Sequence, residues 1–134
     1  MTNAKPEVLL VSDGDQGDLK EILRRRANLT EAESIPAMLG LVATRKFDAV
    51  LCDWQLSEGT WREALQELQA RRVATPAIVI SQTSGVEEGI EEWTEVLEAG
   101  AFDLLLAPSQ EYSVLTMVEH ALVSNEARAL RAAV

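Results

Sequence analysis

The sequence predicts an α/β domain built on a doubly wound, five-stranded parallel sheet with helices on both faces. Two observations carry that expectation. Short runs that are apolar throughout, VLLV at 8–11, AVLC at 49–52, AIVI at 77–80 and LLL at 104–106, read as strands covered on both sides. Between them lie stretches with apolar residues at helical spacing, and this alternation calls for parallel crossovers.

The elements follow in order. After the first strand, Leu19, Ile22 and Leu23 form a helical stripe that ends at Arg26. Residues 28–33 carry a weaker strand signal. Pro36 suits the first turn of a helix through Thr44, with Met38, Leu39 and Val42 inward. The third strand is Ala49–Asp53. Thr60 and Glu63 have capping-box spacing ahead of Trp61, Ala64, Leu65 and Leu68. Pro76 enters the fourth strand. Ser84 and Glu87 repeat the capping pattern before an apolar stripe of Val86, Ile90, Trp93 and Leu97, and Gly100 provides a stop. A last helix follows Ser109, with Leu115, Val118, Leu122 and Ala129 on one face. One domain over 1–134 is expected, with a core over 7–123 and a helical extension over 124–134.

Composition narrows the function classes. The chain has 134 residues, 47% of them hydrophobic, and a net charge of −10. So acidic a chain is a poor direct partner for nucleic acid or anionic membranes, because it cannot neutralise phosphate. No apolar run is long enough to span a bilayer, and MTNAKPE lacks the layout of a signal peptide. The lone cysteine, Cys52, lies inside a strand and faces away from Asp53, as inert core. A cytoplasmic setting is expected. Arg24, Arg25 and Arg26 form the basic cluster, read as a solvated helix end.

In such sheets ligands gather beyond the carboxyl ends of the strands. Those ends carry Ser12 and Asp13, then Asp53, Ser81, and Ala107 with Pro108. No glycine-rich phosphate loop follows any strand, and Asp13, Asp15 and Asp18 in SDGDQGD would repel a bare phosphate. Paired acids instead suit a hard cation such as Mg2+ held by oxygen ligands.

The segments VLLVSDGD, FDAVLCDWQLSEG, PAIVISQ and EAGAFDLLLAP, spread over 7–123, resemble bacterial response-regulator receiver domains, the phosphoacceptor modules of two-component signalling. The resemblance implies a flavodoxin-like receiver fold with Asp53 as phosphoacceptor. It implies Mg2+ on Asp13, Asp53 and the backbone carbonyl of Gln55, and Ser81 as the switch hydroxyl. It also implies a sensor histidine kinase or phosphotransfer partner, and an output protein or domain on the face between the fourth and fifth helices. Any catalysis by the chain itself would be limited to self-phosphorylation and dephosphorylation at Asp53.

Three departures mark the chain as atypical. Ser12 replaces the first member of the acidic pair, Ala107 stands at the family's Lys position although Pro108 remains, and LSEGTW replaces the usual turn after Asp53. One acid and one base have gone together, so Asp13, Asp53 and Mg2+ still balance. A phosphorylated Asp53 would lack its fixed cation, and charge-assisted hydrogen bonds of that kind contribute about 1.5–3 kcal/mol. Slower phosphorylation, or phosphorylation uncoupled from output, follows. The alternative is a phosphorylation-independent pseudo-receiver that acts as a protein–protein interaction module. A small enzyme on the same fold is disfavoured because His120, the single histidine, lies on the last helix.

The helix from Val86 carries Glu87, Glu88, Glu91, Glu92, Glu95 and Glu98, read as a solvated acidic face or as a dock for a basic partner. That face would oppose a homodimer unless Arg128 and Arg131 reach across. Trp61 fits the helix stripe, and Trp54 is expected near the site, narrowing access to Asp53.

Overall fold

The structure is a computed structural model that describes residues 5–14, 16–81, 86–105 and 111–133. Strand β1 (Glu7–Val11) leads into α1 (Gly17–Arg26), β2 (Asn28–Ala32), α2 (Ile35–Thr44) and β3 (Ala49–Asp53). A two-stranded ribbon follows, β4 (Gln55–Leu56) with β5 (Gly59–Thr60), and then α3 (Trp61–Ala70), β6 (Ala77–Ile80), α4 (Val86–Glu98), β7 (Asp103–Leu105) and α5 (Glu111–Ala133). The main sheet has the order β2-β1-β3-β6-β7, parallel throughout. The doubly wound expectation therefore holds, with the chain reversing direction across the sheet between β1 and β3.

Strand alternation divides the core into two layers. Leu9, Val11, Val50, Cys52, Ala77, Val79 and Leu104 face α2, α3 and α4, where they meet Met38, Trp61, Leu65 and Val96. Val8, Leu10, Leu51, Ile78, Ile80 and Leu105 face α1 and α5, packing on Leu19, Leu23, Val114 and Val118. The weak signal at 28–33 is an edge strand with only Ala32 buried, which is why its apolar pattern was faint. Among the described residues, no helix is long and apolar enough to cross a membrane.

The helix starts show where side-chain chemistry went elsewhere. Ser34 caps α2, accepting from the Ala37 amide at 3.2 Å. Thr60 precedes α3 as expected, but its side chain makes no cap hydrogen bond, which corrects the capping-box reading. Its backbone is instead committed to the β4–β5 ribbon, paired with Gln55. Gly59 turns that ribbon at φ +142°, where a β-carbon would lie 2.9 Å from the Glu63 carboxylate. Gly100 ends α4 at φ +102°, as its stop role required.

A larger correction concerns α4. The expected inward stripe included Ile90 and Trp93, yet these are 59% and 49% exposed. The helix is turned so that Gly89, Glu92 and Val96 face the sheet, and Leu97 is half-buried. Glu92 thus leaves the acidic face, while Glu87, Glu88, Glu91, Glu95 and Glu98 remain on it. The cause is polar: Glu92 finds a buried partner in Ser81, and the Trp93 indole N–H donates to Asp103 at 3.2 Å. Asp15, the Ser84 cap, Leu106, Ala107, Pro108 and Ser109 lie outside the described residues, as do the side chains of Val86, Arg128, Ala129 and Arg131.

Candidate functional site

The register of β1 against β3 builds the site. Val11 pairs with Cys52 on the α2/α3/α4 side, so the next residues, Ser12 and Asp53, fall on the opposite side, next to one another. Ser12 Oγ donates to Asp53 Oδ2 at 2.5 Å, and Gln16 Nε2, at the start of α1, donates to Asp53 Oδ1 at 2.6 Å. Both oxygens of a carboxylate that is only 8% exposed are therefore satisfied by neutral donors. The Gly14 amide in turn donates to Ser12 Oγ at 3.3 Å.

Burial is the largest influence on Asp53 and pushes its carboxyl above the usual range. The hydrogen bonds from Ser12 and Gln16 pull it back, the Asp13 charge adds to the rise, and Lys20 opposes it. Asp13 lies in the bend after β1, and its exposed carboxylate accepts from both the amide and the hydroxyl of Ser57. The Ser57 hydroxyl holds that carboxyl below the usual range. Burial raises the Cys52 thiol to about 12, with the Asp53 charge adding to the rise, which matches its reading as inert core.

Ser81 lies on the other side of the sheet from Asp53. Val79 and Ala77 face α4, and Ser81 continues their alternation. Its hydroxyl donates to Glu92 Oε1 at 2.6 Å, with both side chains buried. Gln55 is exposed on the ribbon that directly follows Trp54. The Trp54 ring leans on Trp61 with centroids 5.4 Å apart, and the Arg62 guanidinium lies 4.7 Å from the Trp61 ring centre. His120 is exposed on α5.

Ser12 and Asp53 are thus brought into contact. Asp13 is held toward Ser57, and Ser81 is held toward Glu92. Gln16, Ser57 and Glu92 were missed by the sequence reading. Gln16 carried no signal of its own, since a glutamine just ahead of a helix reads as an ordinary polar residue. Glu92 carried a faint one, at helical spacing from Val96.

Oxygen donors suit Mg2+, and Asp13, Asp53 and the Gln55 carbonyl are the groups that could hold it. Holding the ion there would require Asp13 to turn from Ser57 and an Asp53 oxygen to give up one neutral donor. Among the described residues, no group of three or more His, Cys, Asp or Glu side chains is clustered to hold a metal.

The response regulator receiver domain family matches residues 8–119. The transcriptional regulatory protein ZraR of Escherichia coli O157:H7 is 31% identical over 125 residues, covering 91% of this chain and 27% of ZraR. The response regulator protein PilR of Pseudomonas aeruginosa is 28% identical over 110 residues, covering 78% of this chain and 23% of PilR. The chain therefore spans about a quarter of the length of these curated relatives. Among solved structures, the signal receiver domain of an HD domain-containing protein from Pseudomonas fluorescens Pf-5 superposes with TM-score 0.81 at 20% identity, over 98% of this chain and 96% of that one. The Francisella response regulator 1452 receiver domain gives TM-score 0.73 at 23% identity, over 90% and 98%. With more than half of its length inside the family match and its five-stranded parallel sheet shared with these structures, the chain belongs to the response regulator receiver domain family.

Proposed function

We propose that the chain is an atypical phosphoacceptor receiver in which Asp53 takes up a phosphoryl group. The single observation that carries this reading is the placement of Asp53. It is a buried carboxylate at the carboxyl end of β3, with a hydroxyl and an amide donor on its two oxygens and a second carboxylate, Asp13, near enough to act on its charge. An Asp53 oxygen would form a bond to phosphorus while the bond from phosphorus to the donor breaks, and its electron pair leaves with the donor. Mg2+ supplies charge neutralisation at the transferring oxygens. Asp13, Asp53 and the Gln55 carbonyl would hold the ion. Ser12 and Gln16 orient the Asp53 carboxylate, and Ser81 is the switch hydroxyl. Ser12 in place of an acid, and Ala107 at the Lys position, set this site apart from the family pattern.

The partners follow from the family. Receiver domains work with histidine kinases and output domains, and the exposed α4 face, with Glu87, Glu88, Glu91 and Glu95, favours a basic output partner. The chain acts as one domain, with α5 running beyond the core to Ala133. A second reading has its own observation. Both Asp53 oxygens are already satisfied by neutral donors, as they would be in a pseudo-receiver that binds partners without phosphoryl transfer. Intact mass after incubation with acetyl phosphate and Mg2+ separates the two. A phosphoryl adduct lost in Asp53→Asn supports the first reading, and a folded chain without adduct leaves the second.

A further inference from the structure

The contact between Ser81 and Glu92 joins the end of β6 to α4 in the buried layer. Glu92 is 8% exposed and Ser81 5%, so the hydrogen bond between them is shielded from water. A buried polar group left without its partner is costly, so the two side chains constrain each other. Alternation along β6 places Ser81 with Val79 and Val96, on the opposite side of the sheet from Asp53 and Ser12. To touch anything bound at Asp53, the hydroxyl must leave that side, and Glu92 must lose a donor.

We propose that Glu92 is a positioning residue for Ser81. Its side chain holds the hydroxyl proton on the α4 side of the sheet, in competition with an anion seated at Asp53. Glu92 thereby sets how readily the site switches, and it ties that switching to the seating of α4. The neighbouring contacts on the same helix would transmit the change. Glu95 pairs with Arg62 of α3 at 2.6 Å, and Trp93 bonds Asp103 at the start of β7. The competition with an anion rests on the reading of Asp53 as phosphoacceptor, whereas the hold on α4 does not.

The test uses the full chain as wild type, Glu92→Gln, Ser81→Ala and the double variant. Glutamine keeps the shape and an acceptor oxygen while weakening the hold, so the fold is retained. Calorimetric titration with beryllium fluoride in Mg2+ should show Glu92→Gln binding about 3–10-fold more tightly than wild type, the size of one net hydrogen bond. The same change in the Ser81→Ala background should have no effect. An equal gain in both backgrounds, or no gain in either, overturns the proposal. Binding by none of the four proteins would remove the phosphoacceptor reading and leave the decision to hydrogen exchange of the ligand-free chain. There, amides of α4 should exchange about tenfold faster in Ser81→Ala, and no faster again in the double variant. Additive acceleration would overturn the coupling.

Discussion

Asp53 sits in a site that opposes its charge and yet holds it with two donors. Its carboxyl is raised by burial, so its ionisation costs stability in the folded state. The contribution is fully favourable below the ordinary value of 3.8 and is lost as the pH rises through the raised folded value. Asp53→Asn should therefore raise the melting temperature at pH 7, and the gain should shrink as the pH falls toward 4. A difference that does not vary with pH would show that burial of the charge is not the cause. Cys52 makes the complementary case on the other side of the same strand. Its buried thiol, raised to about 12, should stay unreactive toward a disulfide reagent at pH 8 until the chain is unfolded. Labelling of the native protein at the rate of an exposed thiol would contradict the packing of β3.

Helices and turns carry their own tests. Gly40 lies inside α2 with open space around its α-carbon, so Gly40→Ala should stabilise by about 0.5–1 kcal/mol. Gly100 is the reverse case. Its φ of +102° is strained for any other residue, and an added β-carbon would meet the Gln69 side chain at 2.6 Å. Gly100→Ala should destabilise by more than about 1 kcal/mol, with both variants measured by denaturant unfolding. Loss of the Ser34 cap in Ser34→Ala should cost about 1 kcal/mol in the same assay. The position of α4 is the least local of these features. It is set by Glu92 on Ser81, Trp93 on Asp103 and Glu95 on Arg62, contacts to three different elements.

For the chain as a unit, a net charge of −10 implies self-repulsion that salt should relieve. Raising ionic strength from about 0.01 M to 0.15 M shortens the screening length from about 30 Å to 8 Å, so the melting temperature should rise over that range. The exposed pairs Arg24–Glu31, Arg45–Glu7 and Arg71–Glu67 would be weakened by salt, and exposed pairs contribute little. A fall in melting temperature with salt would mean that these pairs outweigh the repulsion. If the proposed basic output partner docks on the α4 face, its binding should be salt-sensitive for the same reason.

By itself, the sequence determined where along the chain the five main-sheet strands and all five helices lie, and it placed Ser12, Asp13, Asp53 and Ser81 at strand ends. The reason is that apolar runs and helical stripes are local patterns, and a parallel sheet presents its strand ends on one rim. The stripes of α1 and α3 were legible down to individual residues because their buried positions are all apolar. The short ribbon after Asp53 was not legible, since two-residue strands leave no periodicity. Only the tertiary structure decided which way α4 faces, that Gln16 turns from its helix to Asp53, and that Asp13 and Ser81 are held by Ser57 and Glu92. Each of those is a polar contact between residues distant in sequence or between adjoining elements. Hydropathy counts a glutamate as outward, and nothing local reveals that a hydroxyl at the end of β6 is waiting for it.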